Sequence, residues 1–288
     1  MQVKSFAKVN LGLEILGKRP DGYHDIRTLF QTVNLYDILE FEILPEDKIL
    51  LHGNDRSISW GEDNLMFKAS SLLKKETGVL KGVRIRVEKN IPAGMGLGGG
   101  SSNAAVSLLS LNTLWNLGLN RNDLLKWAKK LGADVPFFLY GGFCLGLERG
   151  DRILEKEDLD DVFFLLALPD FSVSTAHVYR SLPMSLTSGD KGSKINEFLT
   201  NFDFGLLENR LEKTVFRLYP QLKAIKRLIQ VQEPELLLVT GTGSAIVGLF
   251  RKKDEAENAG KAIEKKFPYR VVKSISRSEY WKGVTIGV

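Results

Sequence analysis

Residues 93–109 read AGMGLGGGSSNAAVSLL, a run of glycines that passes within a few residues into an apolar helix. Gly94-Met95-Gly96-Leu97-Gly98-Gly99 fits G-x-G-x-x-G, the pattern of a dinucleotide-binding turn. That turn needs a strand before it, a helix after it, and an acidic residue about 20 residues on, at the end of the next strand. The strand (GVRIRVEKN, 82–90) and the helix are present, but Asp123 falls inside a second helical pattern, NRNDLLKWAKKLG (120–132). No strand separates the two helices, so the βαβ unit is missing. A G-x-x-x-x-G-K-[S/T] loop is also absent. Five glycines within residues 94–100 lose more backbone entropy on folding than a plain turn justifies. Their use is to let a ligand approach main-chain N–H groups. The helix N-terminus behind them attracts anions. Ser101 and Ser102 add hydroxyls that could meet a phosphate-bound metal, and Ser101, Ser102 and Asn103 are candidate caps. On chemistry alone the run reads as a phosphate-binding loop, with an unliganded turn as the alternative.

The remainder of the chain is consistent with a soluble protein acting on a small molecule. Its 288 residues are 43% hydrophobic and 26% charged, and the net charge of +5 is spread over scattered pairs and short runs. Without a dense basic patch interleaved with aromatics, no nucleic-acid partner is expected. No apolar stretch approaches 18 residues, so no membrane span is expected. The N-terminus MQVKSFAKVNLGL lacks a signal-peptide pattern, which leaves the cytoplasm as the default compartment. A single cysteine, Cys144, excludes an internal disulfide and reads as a small buried residue. His24, His52 and His177 lack zinc-ligand spacing.

Hydrophobic periodicity predicts strands over 2–16 and 29–44, with the Pro20-Asp21-Gly22 turn between them. A helix follows over 63–78, capped by Asp63 or Asn64 and ended by Gly78. ADVPFFLYGGFCLGLERGD (133–151) places Asp134 at a helix end or loop before an apolar strand. After about residue 155 come a buried strand in VFFLLALPD (162–170), a polar loop over 184–194 and helical segments over 194–231. Then follow strand, glycine turn and strand in ELLLVTGTGSAIVGLF (235–250), a charged helix, and the strands YRVVKSIS and KGVTIGV. The class is α+β in two halves, with a boundary near 150–160.

IPAGMGLGGGSSNAA (91–105) resembles the P-x-x-x-G-L-G-S/G-S-S-A-A signature of the GHMP kinases. AKVNLGLEILGKRPDGYHDI (7–26) resembles their N-terminal motif and VTGTGSAIVGLF (239–250) their C-terminal glycine motif. GADVPFF (132–138) is a fourth match, and together the four span nearly the whole chain. The resemblance implies a two-domain architecture with an active site in the cleft between domains. Residues 1–155 would form a nucleotide-binding domain like ribosomal protein S5 domain 2, and 156–288 a ferredoxin-like domain. It implies ATP as co-substrate, with Mg²⁺ arriving on it; no metal ligand is identifiable. PDGYH (20–24) points to the branch that phosphorylates the 2-hydroxyl of a cytidine-diphosphate-linked methylerythritol, in the non-mevalonate route to isoprenoids. A monomer or homodimer is expected. The alternatives are a mevalonate- or homoserine-type kinase and a non-catalytic nucleotide-binding protein.

The same resemblance assigns residues. Asp134 matches the catalytic aspartate and Lys8 the catalytic lysine. A lysine within FAKVNLGL is out of place on a half-buried strand unless it meets a carboxylate or phosphate. Pro92, Gly94, Gly96, Leu97, Gly98, Gly99, Gly100, Ser101 and Ser102 would surround the ATP phosphates, and Asn64 and Lys89 the rest of the nucleotide. Asn10, two residues after Lys8 and so on the same strand face, would contact substrate. Tyr23 would stack on the cytosine and His24 bond its edge. Thr175, Gly241, Thr242 and Gly243 complete the substrate set.

Overall fold

The computed structural model describes residues 1–183 and 193–285; most of the polar loop expected over 184–194 lies outside the described residues. The first half of the chain runs β1 (Gln2–Lys18), β2 (His24–Leu44), β3 (Ile49–Gly53), α1 (Leu65–Thr77), β4 (Gly82–Glu88), α2 (Gly99–Leu114), α3 (Arg121–Leu131), β5 (Phe143–Leu147) and β6 (Arg152–Glu155). The second half runs β7 (Phe163–Ala167), α4 (Thr175–Arg180), α5 (Lys194–Asn201), α6 (Glu212–Leu218), α7 (Gln221–Gln230), β8 (Leu236–Val239), β9 (Ile246–Phe250), α8 (Lys253–Ile263), β10 (Tyr269–Lys273) and α9 (Arg277–Thr285). No helix among the described residues is long and apolar enough to cross a membrane.

β2 organises the first sheet. Along one edge it pairs antiparallel with β1; its other edge is shared by β5 over residues 28–31 and β4 over 38–44. β3 adds parallel to β4, and β6 pairs with β5. The second sheet has the order β10-β7-β9-β8. β1 is buried on both faces. Val3 and Phe6 join the core formed with α1, α2 and α3, whereas Ala7, Val9 and Leu11 pack with Phe164, Leu166 and Val247 of the second sheet. Register shifts after Phe6 and Asn10 bracket Lys8 and Asn10. Such irregularities re-aim side chains locally, and here they turn polar groups into the space between the sheets.

Three expectations need correction. The helix after the glycines is capped by Gly98, not by Ser101, Ser102 or Asn103, and starts at Gly99. Ser102 and Asn103 instead bond Ser5 of β1, whose Oγ lies 2.7 Å from each of their side-chain oxygens. The apolar run directly after Asp134 is a 3₁₀ turn, Val135–Leu139, with the strand beginning only at Phe143. The segment 282–285, expected to be part of a strand, is the end of α9. Its start carries a capping box, Ser276-x-x-Glu279, in which Ser276 N–H donates to Glu279 Oε2 (2.9 Å) and Glu279 N–H to Ser276 Oγ (3.1 Å). α9 returns to the first core: Tyr280 is fully buried and its hydroxyl donates to Phe138 O at 2.5 Å.

Candidate active site

The glycine loop is folded tightly against its surroundings. Gly96 has φ +79, and a Cβ there would stand 2.3 Å from Thr240 O. Gly98 has φ +72, and a Cβ there would meet Phe138 Cζ at 2.9 Å and Lys8 Cγ at 3.0 Å. Both positions therefore demand glycine twice over, through backbone conformation and through space. Leu97 is buried, and its carbonyl accepts the Lys8 N–H at 3.0 Å. No side chain caps α2, so the N–H groups of its first turn have no intrahelical acceptor and face the loop. Ser101 stands partly exposed there, whereas Ser102 is turned inward to Ser5.

Around that helix start the structure gathers the other expected nucleotide residues. Lys89 Nζ lies 3.2 Å from where a Cβ on Gly99 would be, and it is paired with the buried Asp37. Asp37 Oδ1 also accepts the N–H groups of Asn90 and Ile91, at 2.7 and 2.9 Å, fixing the corner that leads through Pro92 into the loop. Asn64 caps α1, accepting from Met66 N–H at 2.9 Å. Its neighbour Leu65 stands 3.9 Å from a Cβ position on Gly100.

On the other side of the loop lies a cleft of about 750 Å³, lined by residues of both halves of the chain, Gly96 among them. At its floor Lys8 Nζ lies 3.3 Å from Asp134 Oδ2; the lysine side chain is 3% exposed and the aspartate 37%. The ammonium also donates to Asn10 Oδ1 at 2.5 Å. Asn10 Nδ2 donates to Thr28 Oγ1 (2.8 Å), and that hydroxyl donates to Gly12 O (2.7 Å). Asn10 N–H donates to Thr240 Oγ1 at 2.9 Å, which ties β1 to the second glycine turn. Gly241 and Thr242 of that turn line the cleft, with Thr242 Oγ1 2.9 Å from Thr175 Oγ1 at the start of α4. Gly243 closes the turn behind them, its N–H donating to Thr240 O at 2.9 Å.

The opposite end of the cleft holds rings. Tyr23 is 54% exposed, on the turn after Pro20-Asp21-Gly22. His24 is buried and lies 5.4 Å from the Tyr179 ring. Its Nδ1 is buried, with no hydrogen-bond partner among the described residues. Burial, and then the nearby Lys18, hold the His24 pKa below its ordinary value, so the ring is neutral at neutral pH. Burial, and then the Asp134 charge, push the Tyr179 phenol up, which keeps it protonated. Tyr179, Arg149, Arg180, Lys18 and Thr28 also line the cleft. Sequence reasoning missed all five. Tyr179 follows the singled-out Thr175 at the helical spacing of four, the one signal by which it could have been found.

Among the described residues no three His, Cys, Asp or Glu side chains converge to cage a metal. The donor set fits an ion that keeps its waters and rides on phosphate oxygens, which needs one or two protein oxygens at most.

Comparison with known proteins bears on this arrangement. The family model described as "GHMP kinases N terminal domain" matches residues 64–142, and "GHMP kinases C terminal" matches 193–268. A 4-diphosphocytidyl-2-C-methyl-D-erythritol kinase of Syntrophus aciditrophicus is 39% identical over 92% of this chain and 95% of its own length. One of Caldicellulosiruptor bescii is 37% identical over 92% and 94%. A crystal structure of 4-(cytidine 5'-diphospho)-2C-methyl-D-erythritol kinase superposes with a TM-score of 0.80 at 35% identity, over 95% of this chain and 99% of that one.

Proposed function

Because the chain belongs to the GHMP kinase family and has its two-domain α+β fold, we propose that it transfers the γ-phosphoryl of ATP to the 2-hydroxyl of 4-diphosphocytidyl-2-C-methyl-D-erythritol. The products are the 2-phosphate and ADP, on the way to isoprenoid precursors in the cytoplasm. One observation carries the reading. The Lys8–Asp134 pair, at 3.3 Å, lies in the same cleft as Tyr23, Tyr179 and a neutral histidine with a free ring nitrogen.

The roles follow from the chemistry of each group. ATP lies along the glycine loop, its phosphates at the N–H groups of Gly99, Gly100 and Ser101, with Asn64 and Lys89 toward the rest of the nucleotide. Magnesium bound to those phosphates supplies charge neutralisation. Asp134 accepts the proton of the substrate hydroxyl while the oxygen bonds to the γ-phosphorus and the bridge to the β-phosphate breaks. Lys8 holds Asp134 in line and stabilises the developing negative charge. Asn10 and Thr28 hold Lys8 in its rotamer. The cytosine stacks on Tyr23, and His24 Nδ1 accepts from its exocyclic amino group. Lys18 and Arg180 balance the diphosphate, with Thr175 and the 241–243 turn beside it. Residues 1–155 supply the glycine loop, the Lys8–Asp134 pair, Tyr23 and His24, and 156–288 supply Thr175, Tyr179, Arg180 and the 241–243 turn.

The test is a panel of alcohols, each incubated with ATP and Mg²⁺ and weighed by mass spectrometry. The cytidylylated methylerythritol alone should gain one phosphoryl group. Phosphorylation of mevalonate, homoserine or galactose in its place would overturn the acceptor and leave the kinase.

A further inference from the structure

Tyr23 needs something to hold it. It sits at the tip of a turn, half exposed, and a free aromatic side chain loses rotamer freedom when a ligand stacks on it. Its backbone is ordered: Tyr23 N–H donates to Asp21 Oδ1 (3.0 Å) and Arg19 N–H to Tyr23 O (2.8 Å). These bonds fix the main chain and leave the ring free to turn.

What meets the ring is Arg149, whose guanidinium carbon lies 5.0 Å from the ring centroid. The arginine comes from the tight connection between β5 and β6. Glu148 there has φ +59 and Gly150 φ +90, and Glu148 O accepts the Ile26 N–H at 2.6 Å. That bond fastens the hairpin to the start of β2, three residues from Tyr23. Asp151 clamps the guanidinium itself, with Nε donating to Asp151 Oδ2 at 3.0 Å and one terminal nitrogen to the same oxygen. The Asp151 side chain is 4% exposed. A planar cation held by a buried carboxylate and placed over a tyrosine ring is a shelf.

We infer that the Arg149 side chain is a positioning residue for base recognition: it fixes the Tyr23 ring from one face and so pre-orders the opposite face for a pyrimidine. The inference rests on the cytidine reading above. Its role is one of preorganisation, so it acts on affinity for the base and leaves the phosphoryl transfer step alone.

The probes are cytidine and CDP, with binding measured by calorimetry alongside steady-state kinetics. Arg149→Met keeps the aliphatic stem and removes the cation. Removing a cation from an aromatic face costs about five-fold in binding, so the KM for the cytidylylated substrate should rise by about that factor at unchanged kcat. The loss should be equal for cytidine and CDP, because the arginine works through the ring. In a Tyr23→Leu background the same substitution should have no further effect, and Arg149→Lys should recover only part of the affinity, because an ammonium keeps the charge and lacks the flat face. Arg149→Met/Asp151→Asn removes the unpaired carboxylate along with its partner and should repeat the result if the single variant folds poorly. A loss confined to CDP would make Arg149 a phosphate ligand and overturn the inference. So would equal losses with and without Tyr23, a fall in kcat, or no change at all. If the wild-type protein bound neither cytidine nor CDP, the cytidine reading itself would fall, and the shelf with it. Binding by the wild type with no effect at Arg149 would sink the shelf alone.

Discussion

Around Lys8 the polar side chains of Asn10, Thr28 and Thr240 are buried and bonded to one another. At the ring end His24 is buried with its Nδ1 unbonded among the described residues, and Tyr23 is half exposed and rests on Arg149. Lys8, Asn10, Thr28 and Thr240 form a chain of bonds between 2.5 and 2.9 Å across two strands and a turn. Tyr23 is held by its turn and the Arg149 guanidinium. The difference follows from what each end has to do. A proton acceptor out of place by a fraction of an ångström loses the reaction. A base-stacking surface tolerates small displacements, because its attraction is broad and weakly directional. The braced end should therefore answer to substitution in kcat and the resting end in KM.

After loss of the proton acceptor itself, Lys8→Met should produce the largest effect. Losing a preorganised charge at a reacting oxygen costs about a hundredfold to a thousandfold in kcat, with substrate affinity nearly unchanged, as measured by stopped assay and calorimetry. A tenfold KM change with kcat intact would erase the contrast. Next comes Tyr23→Leu. Base–aromatic stacking is worth about 1–3 kcal/mol, so the KM for the cytidylylated substrate should rise by about five-fold to about 160-fold while the KM for ATP stays put.

The His24 titration sharpens the same contrast. Its folded pKa is lowered from 6.5 by burial and Lys18, so the unfolded chain binds the proton more readily than the folded one. The stability tied to the neutral ring is complete above pH 6.5 and is lost as pH falls below it. The KM for the cytidylylated substrate should be flat from pH 8 to about 6.5 and rise in more acid solution, where Nδ1 ceases to accept. A KM that already rises at a pH above 6.5, where the ring is neutral, would contradict the acceptor role of Nδ1. Smallest of all is Thr240→Ser. The hydroxyl that receives Asn10 N–H is kept and one buried methyl is lost. A fall of about 1 kcal/mol in unfolding free energy, with kinetics within about twofold of wild type, is expected from chemical denaturation and assay.

Much of this was legible because local chemistry dictated it. The glycine run reads as a close-approach loop in preference to an unliganded turn, and Asn64 and Gly78 bound α1 as their types require. A lysine inside FAKVNLGL had to find an opposite charge, and it lies beside Asp134. Arg149 was illegible for the opposite reason. Its meeting with Tyr23 joins residues 126 positions apart through the β2–β5 pairing, which no local pattern announces. Tyr179 likewise reaches His24 from the other half of the chain. The end of the chain misled because alternation in KGVTIGV is a strand signal, while the Ser276-x-x-Glu279 box upstream is a helix signal. Burial of Tyr280 against Phe138 and the capping box together favoured the helix.

The central claim is that Asp134 takes the proton at the floor of a cleft that holds a cytidylylated alcohol. Asp134→Asn tests it most directly, with substrate and ATP binding measured by calorimetry beside a single-turnover assay. The account predicts both affinities within about twofold of wild type and, for loss of a general base, turnover reduced by about three orders of magnitude. Turnover near the wild-type rate with both ligands bound would contradict it and leave the pair with Lys8 a structural one.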